Sequence, residues 1–239
     1  MSPTPPTVVL VHGAFADAAG WLGVMDELQR GGIAVLAVAN PLRGLTSDAA
    51  YLASVVSQID GPVVLVGHSY GGALITVAGT ADHVVGLVYI AAYVLEEGES
   101  LSELQDRFPA PPLLRSLERW TYPTERGKTA TEVSIVPAAY PSVFAADVSP
   151  SLARVLAASQ RPLASAAFTE AASAAAWRTK PCWALVAEAD QAINPDVERF
   201  GARRAGATTV ELEGASHAVT VSRPSAVADL ICEAVRATS

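Results

Sequence analysis

The stretch VVLVGHSYGGALI, residues 63–75, runs from four aliphatic residues through Gly67-His68-Ser69-Tyr70-Gly71 and back into an apolar segment. Four aliphatic residues in a row read as a strand buried on both faces, and the Ala-Leu-Ile beyond the glycines reads as part of a buried helix. Between strand and helix, G-x-S-x-G demands a turn so sharp that side chains two residues to either side of the serine must be absent. The serine hydroxyl is thereby lifted above the sheet. It stands at a helix N-terminus, whose unpaired N–H groups favour developing negative charge. Ser69 is expected to be a nucleophile, against the alternative of an ordinary turn serine.

Outward from this stretch, short Val- and Ile-rich runs alternate with segments of helical period, the pattern of βαβ units feeding a parallel sheet. Six strands are expected, at Thr7–Val11, Ile33–Val38, Val63–Val66, Val84–Ile90, Cys182–Ala187 and Thr208–Leu212. Helices are expected near Ala18–Arg30, Ser47–Ile59, Tyr70–Ala78, Asp196–Ala205 and Ser225–Ala237, with Gly31-Gly32 and Gly61-Pro62 as stops and Pro224 as a start. The fold class is α/β, a six-stranded, mostly parallel sheet flanked by helices. Between Ala91 and Thr179 the alternation breaks. Segments such as EEGESLSELQDRFPAPPLLRSLERW and SLARVLAASQ read as short helices among prolines, with no strand strong enough to join the sheet. So long an interruption is no ordinary connection, and residues 95–178 are expected to form a small helical cap on a single domain spanning 1–239.

A serine hydroxyl needs a base, and in this architecture the acid and then the histidine follow the serine in the chain. Of the four histidines, His12 and His68 flank other motif positions and His83 lies in a polar turn, which leaves His217 in EGASHAV, after the last strand. The acid is sought in ALVAEADQAINPD, after the fifth strand. Asp190 is the choice, with Glu188 next; Asp196 suits the first turn of the following helix. Donors for an oxyanion are expected from the backbone N–H groups of Ala14, after His12-Gly13 at the end of the first strand, and of Tyr70.

The segments LVHGAF, GHSYGG, AEADQAINP and GASHAV together resemble the α/β-hydrolase superfamily over essentially the whole chain, and most closely small bacterial esterase-like members near the plant methylesterase and hydroxynitrile lyase branch. That resemblance implies a Ser-Asp-His order, a compact cap, and a sheet that begins at the strand carrying the His-Gly turn. It also implies esterase rather than lyase chemistry, because the lyases typically carry threonine at the position of Gly13 and lysine at that of Ala218. An aspartate in place of Ser69 would mark epoxide hydrolases and dehalogenases, whose mechanism is excluded. Perhydrolase, cofactor-free haloperoxidase or hydroxynitrile lyase chemistry on the same triad, and a ligand-binding protein of this fold, are the alternatives to a carboxylesterase.

The substrate expected is a small to medium hydrophobic ester or lactone. Cap residues Phe108, Leu113, Leu114, Leu117, Trp120, Tyr140, Phe144 and Phe168 divide between cap core and pocket wall; of these Trp120 and Phe144 are taken for the wall, with Phe15 and His12 beside the first turn. Arg43, in NPLRGLTSD, has two readings, a hold on an anionic substrate group and a brace for its own loop.

The remaining composition narrows the partners. Cys182 and Cys232 sit in apolar contexts without a second ligand at metal spacing, so free buried thiols are expected and neither a metal nor a cofactor is called for. A net charge of −8 without a basic stripe argues against nucleic acid. No apolar run reaches the roughly 20 residues of a membrane span, and the N-terminus has no signal-like pattern, so a cytoplasmic enzyme acting on a small molecule is expected, its assembly into a homodimer left open.

Overall fold

The computed structural model describes residues 5–239. Strand β1 (Thr7–Val11) leads through a 3-10 turn at Ala18–Trp21 into α1 (Leu22–Arg30), β2 (Val35–Val38) and α2 (Leu45–Val56). Next come β3 (Val63–His68), α3 (Tyr70–Ala78) and β4 (Val84–Ile90). An insertion follows, with α4 (Leu101–Gln105), β5 (Leu117–Pro123), β6 (Thr129–Ile135), α5 (Tyr140–Val143), α6 (Pro150–Ser159) and β7 (Leu163–Ala164). The chain then returns through β8 (Cys182–Ala187), α7 (Pro195–Arg204), β9 (Thr208–Leu212), α8 (Val219–Ser222) and α9 (Pro224–Ala237).

The main sheet has six parallel strands in the order β2-β1-β3-β4-β8-β9. All six expected strands are present, β2 two residues shorter at its start and β3 two longer at its end. The inner strands β3 and β8 are buried at every residue, as apolar runs must be when helices cover both faces. Alternation divides their side chains between two cores. Val9, Val11 and Leu65 pack with α2 and α3 residues such as Leu52 and Leu74, while Val8, Leu10, Val64 and Val66 pack with Trp21, Leu28 and Ile231 from the α1 and α9 side. The chain leaves β1 toward β2 and comes back past it to β3, so the strand order reverses between β1 and β3. A crevice opens at the C-terminal ends of strands at such a reversal, and here the Gly13 turn and Ser69 stand on its two sides.

The insertion departs from the expected all-helical cap. β5 and β6 form an antiparallel hairpin, joined by the two-residue β7. Val133 and Ile135 are buried on one face of the hairpin, whereas Trp120 and Tyr122 belong to the opposite face. Among the described residues, no helix is long and apolar enough to cross a membrane.

Candidate active site

Ser69 joins β3 to α3 with φ 56° and ψ −122°, a left-handed backbone that a residue with a side chain adopts only under constraint. The constraint is visible in hydrogen bonds on both sides of it. Its N–H donates to Ile90 O at 3.2 Å, and its carbonyl accepts from Gly72 at 3.0 Å and Tyr93 at 3.3 Å. The glycines are required by space. A Cβ on Gly67 would stand 2.5 Å from Gly71 O, one on Gly71 would collide with Val11 O of β1, and one on Gly13 would stand 2.6 Å from Ser69 Cβ.

His217 and Asp190 arrive from the ends of β9 and β8. The imidazole Nδ1–H donates to Asp190 Oδ2 at 2.5 Å, and Asp190 Oδ1 accepts the N–H groups of Ala192 at 2.6 Å and Ile193 at 2.9 Å. Both side chains are buried. The loop carrying His217 is pinned to the insertion, where Phe144 O accepts the Ala218 N–H at 2.9 Å and the Phe144 ring meets the imidazole edge-on at 4.7 Å. From below, His68 Nε2–H donates to His217 O at 2.9 Å. Burial, reinforced by the neighbouring His217, pushes the His68 imidazole well below its ordinary pKa and keeps it neutral.

Ser69 and His217 line one narrow, partly open cavity. No hydrogen bond joins Ser69 Oγ to the imidazole among the described residues, a looseness common where no substrate is bound. Ala14 and Tyr70 line the same space, and their N–H groups donate to no acceptor among the described residues. The rest of the wall is Phe15, Tyr93, Leu101, Leu113, Leu114, Phe144, Leu163, Phe168, Ala192 and Ile193, without a charged side chain. Phe15 sits at φ 59°, held by its N–H on Arg161 O at 3.0 Å and its carbonyl under the Tyr140 hydroxyl at 3.1 Å. Tyr70 is anchored at its far end, where its hydroxyl donates to the buried Asp48 at 2.9 Å. Asp48 also accepts from Arg43 N at 2.9 Å, and burial raises its pKa above the usual carboxylate range despite these donors.

Phe15 and Phe144 therefore lie where they were expected, while three other candidates do not reach the cavity. His12 turns under its own turn, donating from Nδ1 to Gly13 O at 2.9 Å and accepting Asn40 N–H at Nε2 at 3.0 Å, so it braces the Ala14 loop. Arg43 reaches the hairpin, with NH1 2.5 Å from Glu132 and its guanidinium 4.5 Å from the centre of the Tyr122 ring. Trp120, on that same outer face, is 54% exposed. Tyr93, Leu101, Leu163 and Ile193 were missed as wall residues; Tyr93 and Ile193 follow strands at the C-terminal edge of the sheet, which is the signal that could have flagged them. Both cysteines are free, and burial pushes the Cys182 thiol up to about 12. No cluster of three metal-ligating side chains occurs among the described residues.

A family model described as "Alpha/beta hydrolase family" matches residues 8–230. Among solved structures, the chain is similar to polyneuridine aldehyde esterase, at 20% identity and TM-score 0.81 over 96% of this chain and 99% of that one. It is also similar to a pyrethroid hydrolase from Sphingobium faniae JZ-2 (20%, TM-score 0.76, 98% of each chain) and a methylesterase from Arabidopsis (18%, TM-score 0.79, 97% and 99%). At these identities the likeness is one of fold. A search of curated protein sequences returned no match.

Proposed function

The chain belongs to the alpha/beta hydrolase family, and from that premise we propose that it hydrolyses a small to medium, uncharged hydrophobic carboxylic ester or lactone by a serine acyl-enzyme mechanism. The observation that supports this reading is that Ser69, His217, Ala14 and Tyr70 line one largely apolar cavity, with the N–H groups of Ala14 and Tyr70 free of other acceptors among the described residues.

His217 Nε2 takes the hydroxyl proton as Ser69 Oγ attacks the ester carbonyl carbon, and the carbonyl electrons move onto the oxygen held by the Ala14 and Tyr70 amides. The imidazolium returns the proton to the departing alkoxide, leaving an acyl-serine and an alcohol. Water, deprotonated by the same imidazole, then releases the carboxylic acid. Asp190 fixes the imidazole with Nδ1 protonated and offsets its positive charge in both half-reactions. A wall without charged side chains supports a neutral acyl group, and the esterases among the similar structures agree with ester chemistry.

Turnover of p-nitrophenyl acetate tests the proposal. Ser69→Ala and His217→Ala abolish it in folded protein, and Asp190→Asn lowers kcat roughly 10⁴-fold. Activity retained in Ser69→Ala would reject the mechanism. A panel of acetyl, butyryl and octanoyl esters, methyl esters and lactones then defines the acyl and alcohol parts.

A further inference from the structure

Behind Asp190 lies a second carboxyl group that the mechanism above does not use. Glu198, on α7, is buried; its Oε2 accepts the Ala187 N–H at 2.9 Å, and no donor among the described residues reaches its Oε1. Ala187, whose N–H Glu198 accepts, takes the Asp190 N–H on its own carbonyl at 3.2 Å, which sets the two buried carboxyl groups side by side at the end of β8. Two carboxyl groups side by side in a dry interior do not both ionise, and the donors around them decide which keeps the charge. Asp190 receives three, from Ala192, Ile193 and His217, whereas Glu198 receives one. The proton therefore belongs on Glu198. Burial, with the charge of Asp190 added, pushes its carboxyl well above the ordinary range.

We propose that Glu198 is a positioning residue, a neutral carboxylic acid whose Oε1–H donates to Asp190, fills the acceptor site left open on that carboxylate and fixes its plane against His217. The other titratable groups near the pair fit this assignment. Tyr93, entering after β4, is kept a neutral phenol by burial, with the charge of Asp190 added, and donates to Gln105 Oε1 at 3.3 Å. Arg199, next along α7, is engaged outward by Glu211 and by Asp196; its charge works against the rise on Glu198 without reversing it, and among the described residues no salt bridge joins a guanidinium to the pair. His217 meets it only through Asp190. A neutral partner has a chemical advantage over a charged one. It orients Asp190 without a second negative charge, which would hold the imidazolium too firmly to return its proton to the leaving group.

The catalytic consequence rests on the serine-hydrolase reading, while the shared proton does not, and two measurements separate them. Glu198→Gln keeps a neutral donor at the same place; Glu198→Met keeps the volume and removes the donor. Infrared spectra of the folded wild type should show a protonated-carboxyl stretch persisting above pH 7 and absent from both variants. On p-nitrophenyl acetate, Glu198→Gln should keep kcat/KM within about twofold with the acid limb of the pH profile unmoved. Glu198→Met should lose roughly tenfold in kcat, as removal of an outer partner of a working group commonly does. Its acid limb should move to higher pH, because Asp190, deprived of a donor, holds the imidazolium more tightly. Absence of the infrared band at neutral pH overturns the proposal. So does an acid limb that moves to lower pH in Glu198→Gln, the sign of a lost negative charge. If Glu198→Met does not fold, the band and the Gln variant decide. A band without Ser69-dependent turnover rejects ester hydrolysis and leaves the carboxyl pair standing.

Discussion

Gly67 and Gly71 press together so closely that a Cβ on the first would stand 2.5 Å from the carbonyl oxygen of the second. The two glycines of the turn are thus a single packing requirement. Gly71 meets the backbone of β1 as well, at Val11 O, where no side chain can rotate away. Gly71→Ala is expected to cost about 3 kcal/mol in urea unfolding and to remove the proposed ester hydrolysis with the turn. Gly20→Ala is the control, because a Cβ there meets nothing within 4 Å, and it should leave both unchanged. Equal unfolding midpoints for the two variants would contradict the packing argument.

What could be read from residues alone follows how local each constraint is. The Ser69 turn is specified within thirteen consecutive residues, and Asp190 and His217 follow from chain order and from strand ends, so all three were legible. The hairpin was not. Leu117–Pro123 is half-exposed, ends in a proline and carries charges, which masks the two-residue alternation that marks a strand. Once the hairpin is missed, Trp120 is misplaced with it and the partners of Arg43 as a brace cannot be named, because the register that turns Val133 inward turns Trp120 and Glu132 outward. Glu198 was invisible for a different reason. A charged residue in PDVERF reads as a solvated helix face, and only its burial against the end of β8 shows otherwise.

Arg43 gives the second prediction. Its guanidinium bridges Glu132 and lies over Tyr122, tying the loop after β2 to the hairpin. Burial works against its charge, but the Glu132 hydrogen bond more than offsets this and raises its pKa. An ion pair so placed, with Arg43 substantially exposed, contributes at most about 1 kcal/mol. Arg43→Ala should therefore loosen the hairpin, seen as faster proteolysis within residues 117–135, and change KM equally for neutral and carboxylate-bearing esters. A rise in KM confined to the anionic esters would restore a substrate role.

His12 and His68 set the acid stability. Both are buried, and desolvation lowers both below the ordinary imidazole value of 6.5. As pH falls through 6.5 the unfolded chain binds protons that the folded chain refuses, so stability is full above that pH and is lost below it. Each histidine contributes a slope of about 1.4 kcal/mol per pH unit inside its window. In urea titrations between pH 7 and pH 5, the difference between wild type and His68→Gln should change by one proton's worth of slope, with the variant the less pH-sensitive. Parallel curves would mean that His68 takes up a proton in the folded state.

The last prediction concerns Phe144, whose ring is a shared wall. On one side lies the Ser69 cavity; on the other lies a second narrow cavity, lined by His12, Trp21, His68, Tyr140, Leu156 and Ala218 among others. Phe15 and Phe144 border both, with ring centres 6.5 Å apart in an edge-to-face contact. Removing the Phe144 ring joins the two spaces, at a stability cost of about 3–5 kcal/mol. The imidazole loses its edge contact while Phe144 O, part of the backbone, still accepts the Ala218 N–H. Phe144→Ala should therefore raise kcat/KM for octanoyl esters relative to acetyl esters by about tenfold or more, each added methylene finding apolar surface worth about 0.8 kcal/mol. Phe144→Ala combined with Leu156→Trp, which refills the second cavity, should return the preference to short esters. If the single variant shows no change in chain-length preference, the acyl group leaves the Ser69 cavity by another side, and Leu113, Leu114 and Phe168 become the wall to open next.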